Sequence, residues 1–145
     1  MSTSLRVLSF VLIFIAVLLL TVSTVAAQQV PLTTNSDVAR AHFEEGRMQM
    51  AHVQMARART HLNAALAADP TFALAHLYRA WASATEDQGT HHLQQAQSHL
   101  ADVSEGERLM VEAFQASVDG EIDRVRRLIT DVSDQHPQDP HVLYI

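Results

Sequence analysis

The residues of this chain with the most chemistry to offer are nine histidines: His42, His52, His61, His76, His91, His92, His99, His136 and His141. A metal site on a helix pairs imidazoles at i and i+4, so that both face one ion. No step between these histidines is three or four residues. His92 and His99 share a helix face but stand two turns, about 10 Å, apart. Asp87 can meet His91 only across a turn. No metal site is expected, and solvated helix faces account for the imidazoles.

Other chemistries are excluded by what the chain lacks. It has no cysteine, no G-x-S-x-G and four glycines in all, too few for a phosphate-cradling loop. The carboxylate pairs Glu44/Glu45 and Glu105/Glu107 fall in first turns or on faces expected to be solvated. Catalytic acid pairs need a shared cleft that drives their pKa values apart. The expectation is a protein that is not an enzyme and carries no cofactor.

Charge and targeting narrow the partners. All sixteen acidic residues follow residue 28, as do all ten basic residues except Arg6, and the whole chain has a net charge of −6. Nucleic acid requires a basic stripe, so it is not an expected partner. Arg6 precedes an apolar run, Val7 to Leu20, and Val25-Ala26-Ala27 offers small residues to a signal peptidase. Residues 1–27 therefore read as a signal peptide. The alternative is an anchor formed by residues 7–27, the only expected contact with a membrane. With no cysteine to form disulfides and no Asn-x-Ser/Thr, the expected location is exported, periplasmic or extracellular, in a bacterial envelope.

One spacing, present twice, organises the rest. Gly46 and Ala113 each precede a proline, Pro70 and Pro137, by 24 residues. Between them lie the apolar pairs Ala58/Leu62 and Val125/Ile129. The two prolines are 67 residues apart, close to two units of about 34, the length of a helical-hairpin repeat. After a disordered lead, residues 28–36, six helices are expected. They run from Asp37 to about Met50, about Gln54 to Ala68, Phe72 to about Glu86, about His91 to Val103, Glu105 to about Val118 and Glu121 to about Asp134. Ser36, Thr71 and Ser104 are the expected caps, with Ser104 and Glu107 forming a capping box. Gly89 marks the third turn. Asp139-Pro140 is expected to open a seventh helix over residues 140–145.

These residues resemble the tetratricopeptide repeat family, whose pattern is W-x₂-L-G-x₂-Y, then A-x₃-F, then P. In the repeat at 39–72, Gly46, Ala58, Leu62 and Pro70 match, while His42, Glu45 and Gln49 replace the Trp, Leu and Tyr. In the repeat at 106–139, Leu109, Ala113, Ala116, Gly120, Val125, Ile129 and Pro137 fit, and Glu112 replaces Leu. The middle repeat, 73–105, keeps Ala80, Ala96 and Leu100 without a closing proline.

The resemblance implies an all-α fold over 37–139, a right-handed α-solenoid of antiparallel helix pairs in about three repeats. It also implies a concave groove that binds a protein or peptide partner, here through Arg40, Phe43, Arg47, Leu77, Tyr78, Trp81, Arg108 and Phe114. Core packing competes with ligand contact for each aromatic. Two other functions stand beside this one: the N-terminal part of a longer envelope protein, and a His-dependent metal-binding protein. The apolar C-terminal edge, including Val142 to Ile145, is expected to promote self-association.

Overall fold

A computed structural model describes residues 29–137 and 139. The segment read as a signal peptide or anchor and the start of a seventh helix lie outside the described residues. Six helices, and no strand, form among those described: α1 Asp37–Ala51, α2 Met55–Ala68, α3 Ala73–Trp81, α4 Glu86–Ser98, α5 Glu105–Val118 and α6 Ile122–Gln135. No helix among them is long and apolar enough to cross a membrane. Each helix packs most extensively on its neighbour in a hairpin: α1 on α2, α3 on α4, α5 on α6. Lesser contacts join α2 to α3, and both α3 and α4 to α5.

The hairpins start and stop where local chemistry requires. Ser36 caps α1 by accepting the Ala39 N–H at 3.1 Å, and Asp37 sits at the positive helix end. At Ala68 the helix stops before Asp69-Pro70, since the residue preceding a proline is pushed out of the α region. The capping box forms as expected: Ser104 Oγ accepts the Glu107 N–H at 3.3 Å, and Glu107 Oε2 accepts the Ser104 N–H at 3.3 Å.

The third and fourth helices depart from expectation. α3 ends at Trp81 instead of reaching Glu86, and α4 begins at Glu86, so Gly89 lies inside α4. Two local bonds decide this. Ser83 Oγ donates to the Arg79 carbonyl at 2.9 Å, taking an acceptor the next helical turn would use. Thr85 caps α4 through the Gln88 N–H, with Glu86 and Asp87 in its first turn. Those signals outweigh the turn tendency of one glycine. α4 stops at Ser98 and gives way to a short 3₁₀ turn, Leu100–Asp102. Thr71 does not cap α3 either. Its N–H and hydroxyl both donate to Asp69 Oδ1, at 3.0 and 2.8 Å, forming an Asx turn.

α3 is the centre of the core. Every residue from Ala73 to Ala80 is buried, because α2, α4 and α5 all pack on it. Phe43 of α1 is fully buried, with ring centroids 4.9 Å from Phe72 and 5.1 Å from Tyr78, the latter edge-on. α1 and α2 approach closely at Gly46, where a Cβ would stand 2.9 Å from Leu62 Cγ and 3.3 Å from its backbone nitrogen. α6 is held less completely. Of its apolar stripe only Val132 is buried, and Ile122 is exposed.

Residues 29–36, where the sequence suggests a disordered lead, lie as a strap across the ends of α1, α5 and α6. Val30 N–H donates to Asp139 Oδ2 at 2.8 Å. Thr33 donates its N–H to Glu107 Oε1 at 3.0 Å and its hydroxyl to Glu107 Oε2. Arg40 Nη2 donates to the Thr34 carbonyl, and Ser104 Oγ to the Pro31 carbonyl, each at 2.8 Å. Glu107, expected on a solvated surface, is completely buried under this strap.

Candidate functional site: an apolar hollow beside Trp81

An open hollow of about 760 Å³ lies between the α1–α2 turn and the C-terminal end of α3. α1 supplies Ala41, Glu44, Glu45 and Met48 from one face, at steps of three and four residues, together with Arg47, Met50 and Ala51. Val53 comes from the turn, Met55 from the start of α2, and Tyr78 and Trp81 from α3. Val53 is 77 % exposed, Met48 47 % and Trp81 39 %. They account for half of the large hydrophobic side chains exposed among the described residues.

The turn that presents Val53 is a Schellman closure. Gln54 N–H donates to the Gln49 carbonyl and Val53 N–H to the Met50 carbonyl, both at 2.8 Å. This closure places Val53 at φ +58°, the left-handed region that a β-branched side chain rarely enters.

The hollow has little chemistry beyond its apolar surface. Glu44 is paired with Arg47 at 2.6 Å, and Glu45 accepts from Gln49 Nε2 at 2.7 Å. Arg47 also lies over the Phe43 ring, 5.7 Å from its centroid. Burial keeps the Tyr78 phenol protonated well above its ordinary range, with Arg47 opposing that shift. None of these groups is arranged as a nucleophile with a base. The hollow can exclude water and grip an apolar side chain, with one carboxylate more than its single cation.

Of the expected site residues, the structure brings Arg47, Tyr78 and Trp81 together at the hollow. Phe43 and Leu77 are buried in the core. Arg40 is turned to the strap. Arg108 is paired with Glu105 and Glu112 on α5, and Phe114 packs against the core. Met48, Val53 and Met55 were not anticipated. The available signal was four large apolar residues, Met48, Met50, Val53 and Met55, flanking a helix break that has no glycine.

A second, more polar hollow of about 640 Å³ lies between the strap, the α2–α3 turn and the end of α4. Its hydroxyls are engaged in structure: Thr34 donates to Asp69 Oδ2, and Thr71 to Asp69 Oδ1. Near it the fold gathers histidines that sequence spacing kept apart. His76 of α3 meets His92 of α4 with Nδ1 atoms 3.1 Å apart. The His99 ring stacks 6.0 Å from His76, and the His91 ring stands 5.2 Å from His92. Among the described residues no three His, Asp or Glu side chains are placed to hold one metal ion.

No family model, curated protein or solved structure matches this chain. Among the described residues the fold is all-α, built of adjacent, packed helix pairs.

Proposed function

We propose that this chain is a non-enzymatic interaction module of the exported envelope, a right-handed solenoid of tetratricopeptide-like hairpins. Its hollow beside Trp81 takes an apolar segment of a partner protein that carries basic residues at its flank. The observation behind this reading is the gathering of Met48, Val53 and Trp81, exposed, around one apolar hollow. Exposed apolar residues so grouped, rather than scattered, mark interaction sites. Methionines adapt to varied apolar shapes, and a central Trp is a common binding anchor. Glu44 and Glu45 against Arg47 leave the rim net acidic, which favours a basic flank. The apolar run at 7–20 supports export.

The test places a photo-crosslinking side chain at Met48 in the native host, with the same probe at Ile122 as control. The expected result is a crosslink at Met48 to a protein segment rich in apolar and basic residues. Crosslinks of equal yield at both positions, or to acidic segments, would contradict the reading.

A second reading, that these hairpins begin a longer envelope protein, draws on α6. Its Ile122 is exposed and its Val125 and Ile129 half-buried, whereas the corresponding Ala58 and Leu62 of α2 are covered. Intact mass of the native protein decides it.

A further inference from the structure

His76 and His92 join α3 to α4 through their ring nitrogens. His76 Nε2–H donates to the Pro70 carbonyl at 3.0 Å, which leaves the lone pair on its Nδ1. That lone pair faces His92 Nδ1 at 3.1 Å, so His92 donates there and the His76 ring is neutral. A first proton is accommodated on His92 Nε2 with this bond intact. A second would set two N–H groups against each other.

The surroundings oppose even the first. Arg79 of α3 acts on His92, and its bonded partners, Asn63 Oδ1 at 2.7 Å and Ser83 Oγ at 3.0 Å, are neutral and leave its charge in place. Arg59 of α2 lies beyond it. His91 of α4 and His99, just past its C-terminal end, add further imidazoles to the cluster. Asp69, in the α2–α3 turn, is the carboxylate that acts on His76. α5 meets α4 through the uncharged pair Gln115 and Gln97. A divalent cation would meet the same repulsion from Arg79 as a proton, so the cluster is not a metal site in waiting. α4 itself has a thin hold: it buries only Leu93 and Ala96.

We infer that the His76–His92 contact is an acid-release latch, holding α4 on α3 at neutral pH and letting it detach when the pair takes up protons. Release uncovers the apolar surface beneath Leu93 and Ala96 while the α1–α2 hairpin stays folded, since α1 and α2 do not depend on α4 for their packing. Histidine clusters of this kind change charge across pH 5 to 6 and reset the interfaces they occupy. Burial, then Arg79, His76 and His91, push His92 down to about 4, and burial also lowers His76.

Amide hydrogen exchange of the native protein, corrected for the intrinsic pH effect, tests the latch between pH 7 and 4. The expected result is a loss of α4 protection of up to about tenfold per pH unit below 6.5 for each coupled proton, with α1 and α2 unchanged. His92→Asn keeps an amide N–H where His92 Nδ1 donates and removes one of the pair's two protons, so it should make the α4 profile shallower. The latch is overturned if α4 protection is independent of pH, if all helices lose protection together, or if His92→Asn titrates like the wild type. Should that variant not fold, the ring C–H resonances of His76 and His92 in the wild type decide instead. Protonation near 6.5 with undisturbed α4 amides overturns it, and protonation coupled to loss of α4 amide protection supports it.

Discussion

Val53 and Gly120, 67 residues apart, hold the same left-handed place in two helix-to-helix turns, at φ +58° and +76°. The bonding repeats with them. Glu121 N–H donates to the Ala116 carbonyl at 2.8 Å and Gly120 N–H to the Ser117 carbonyl at 3.2 Å, as Gln54 and Val53 do in the first turn. The α5–α6 hairpin meets the left-handed requirement with a residue that has no Cβ; the α1–α2 hairpin meets it with a β-branched one, on the lip of the hollow.

Val53→Gly should therefore stabilise the fold. Relief of the left-handed strain is worth about 1–2 kcal/mol, against a glycine entropy cost of roughly 0.5–1 kcal/mol. Little burial is lost, because Val53 is mostly exposed. The net gain should be about 0.5–1 kcal/mol by chemical denaturation. A lower midpoint would mean that Val53 makes contacts that outweigh its strain. Gly120→Val should destabilise by a similar or larger amount.

Gly46→Ala should destabilise, despite alanine's better helix propensity. The added methyl would meet Leu62, which is fully buried and cannot swing aside. Overpacking of this kind costs about 1–3 kcal/mol, of which helix propensity returns roughly 1 kcal/mol. The third hairpin has Ala113 at the matching position, so the requirement belongs to the Leu62 contact alone. An unchanged or raised unfolding midpoint would show that the hairpin opens without cost.

Glu107 gives the fold a pH dependence opposite in sign to that of the histidine latch. Burial raises its carboxyl above the usual range, partly offset by Thr33, Ser104 and Arg40. Its folded pKa exceeds the unfolded 4.5, so the native state binds the proton more tightly. The ionised carboxylate therefore costs stability as pH rises above 4.5, and that cost is absent below it. Glu107→Gln removes the charge and keeps one acceptor oxygen, but turns an amide N–H toward the backbone donor that the second oxygen served. It should cost stability at pH 4 and cost less at pH 7, where the burden of the buried charge is also gone. Glu107→Ala, which abandons the buried partners, should lose about 1–3 kcal/mol at both. Equal effects of Gln and Ala at pH 7 would remove the charge from the explanation.

Much of the hairpin plan was legible because it rests on local signals. Asp69-Pro70 stops α2, Ser104 and Glu107 mark the start of α5, and the 67-residue spacing locates two matching hairpins. The α3–α4 turn was misplaced because Gly89 is a conspicuous breaker, whereas Ser83 and Thr85 act through hydrogen bonds that a helix period does not display. The strap escaped notice because Thr33 finds its partner Glu107 far along the chain. The His76–His92 contact joins residues on different helices, so spacing along one helix has nothing to say about it. Trp81 stood out by its type; Val53 and Met55 matter only because the turn carries them to its side.

Trp81 is the sole tryptophan of the chain, so its fluorescence reports on the hollow with no competing signal. The most direct measurement titrates the native protein with a synthetic amphipathic peptide bearing leucine anchors and flanking arginines, alongside its glutamate-flanked counterpart. The expected result is a saturable blue shift of Trp81 emission with the arginine peptide, weaker with the glutamate peptide and diminished in Glu45→Lys. An emission spectrum unmoved by either peptide, or moved equally by both, would contradict a hollow built for an apolar segment with a basic flank.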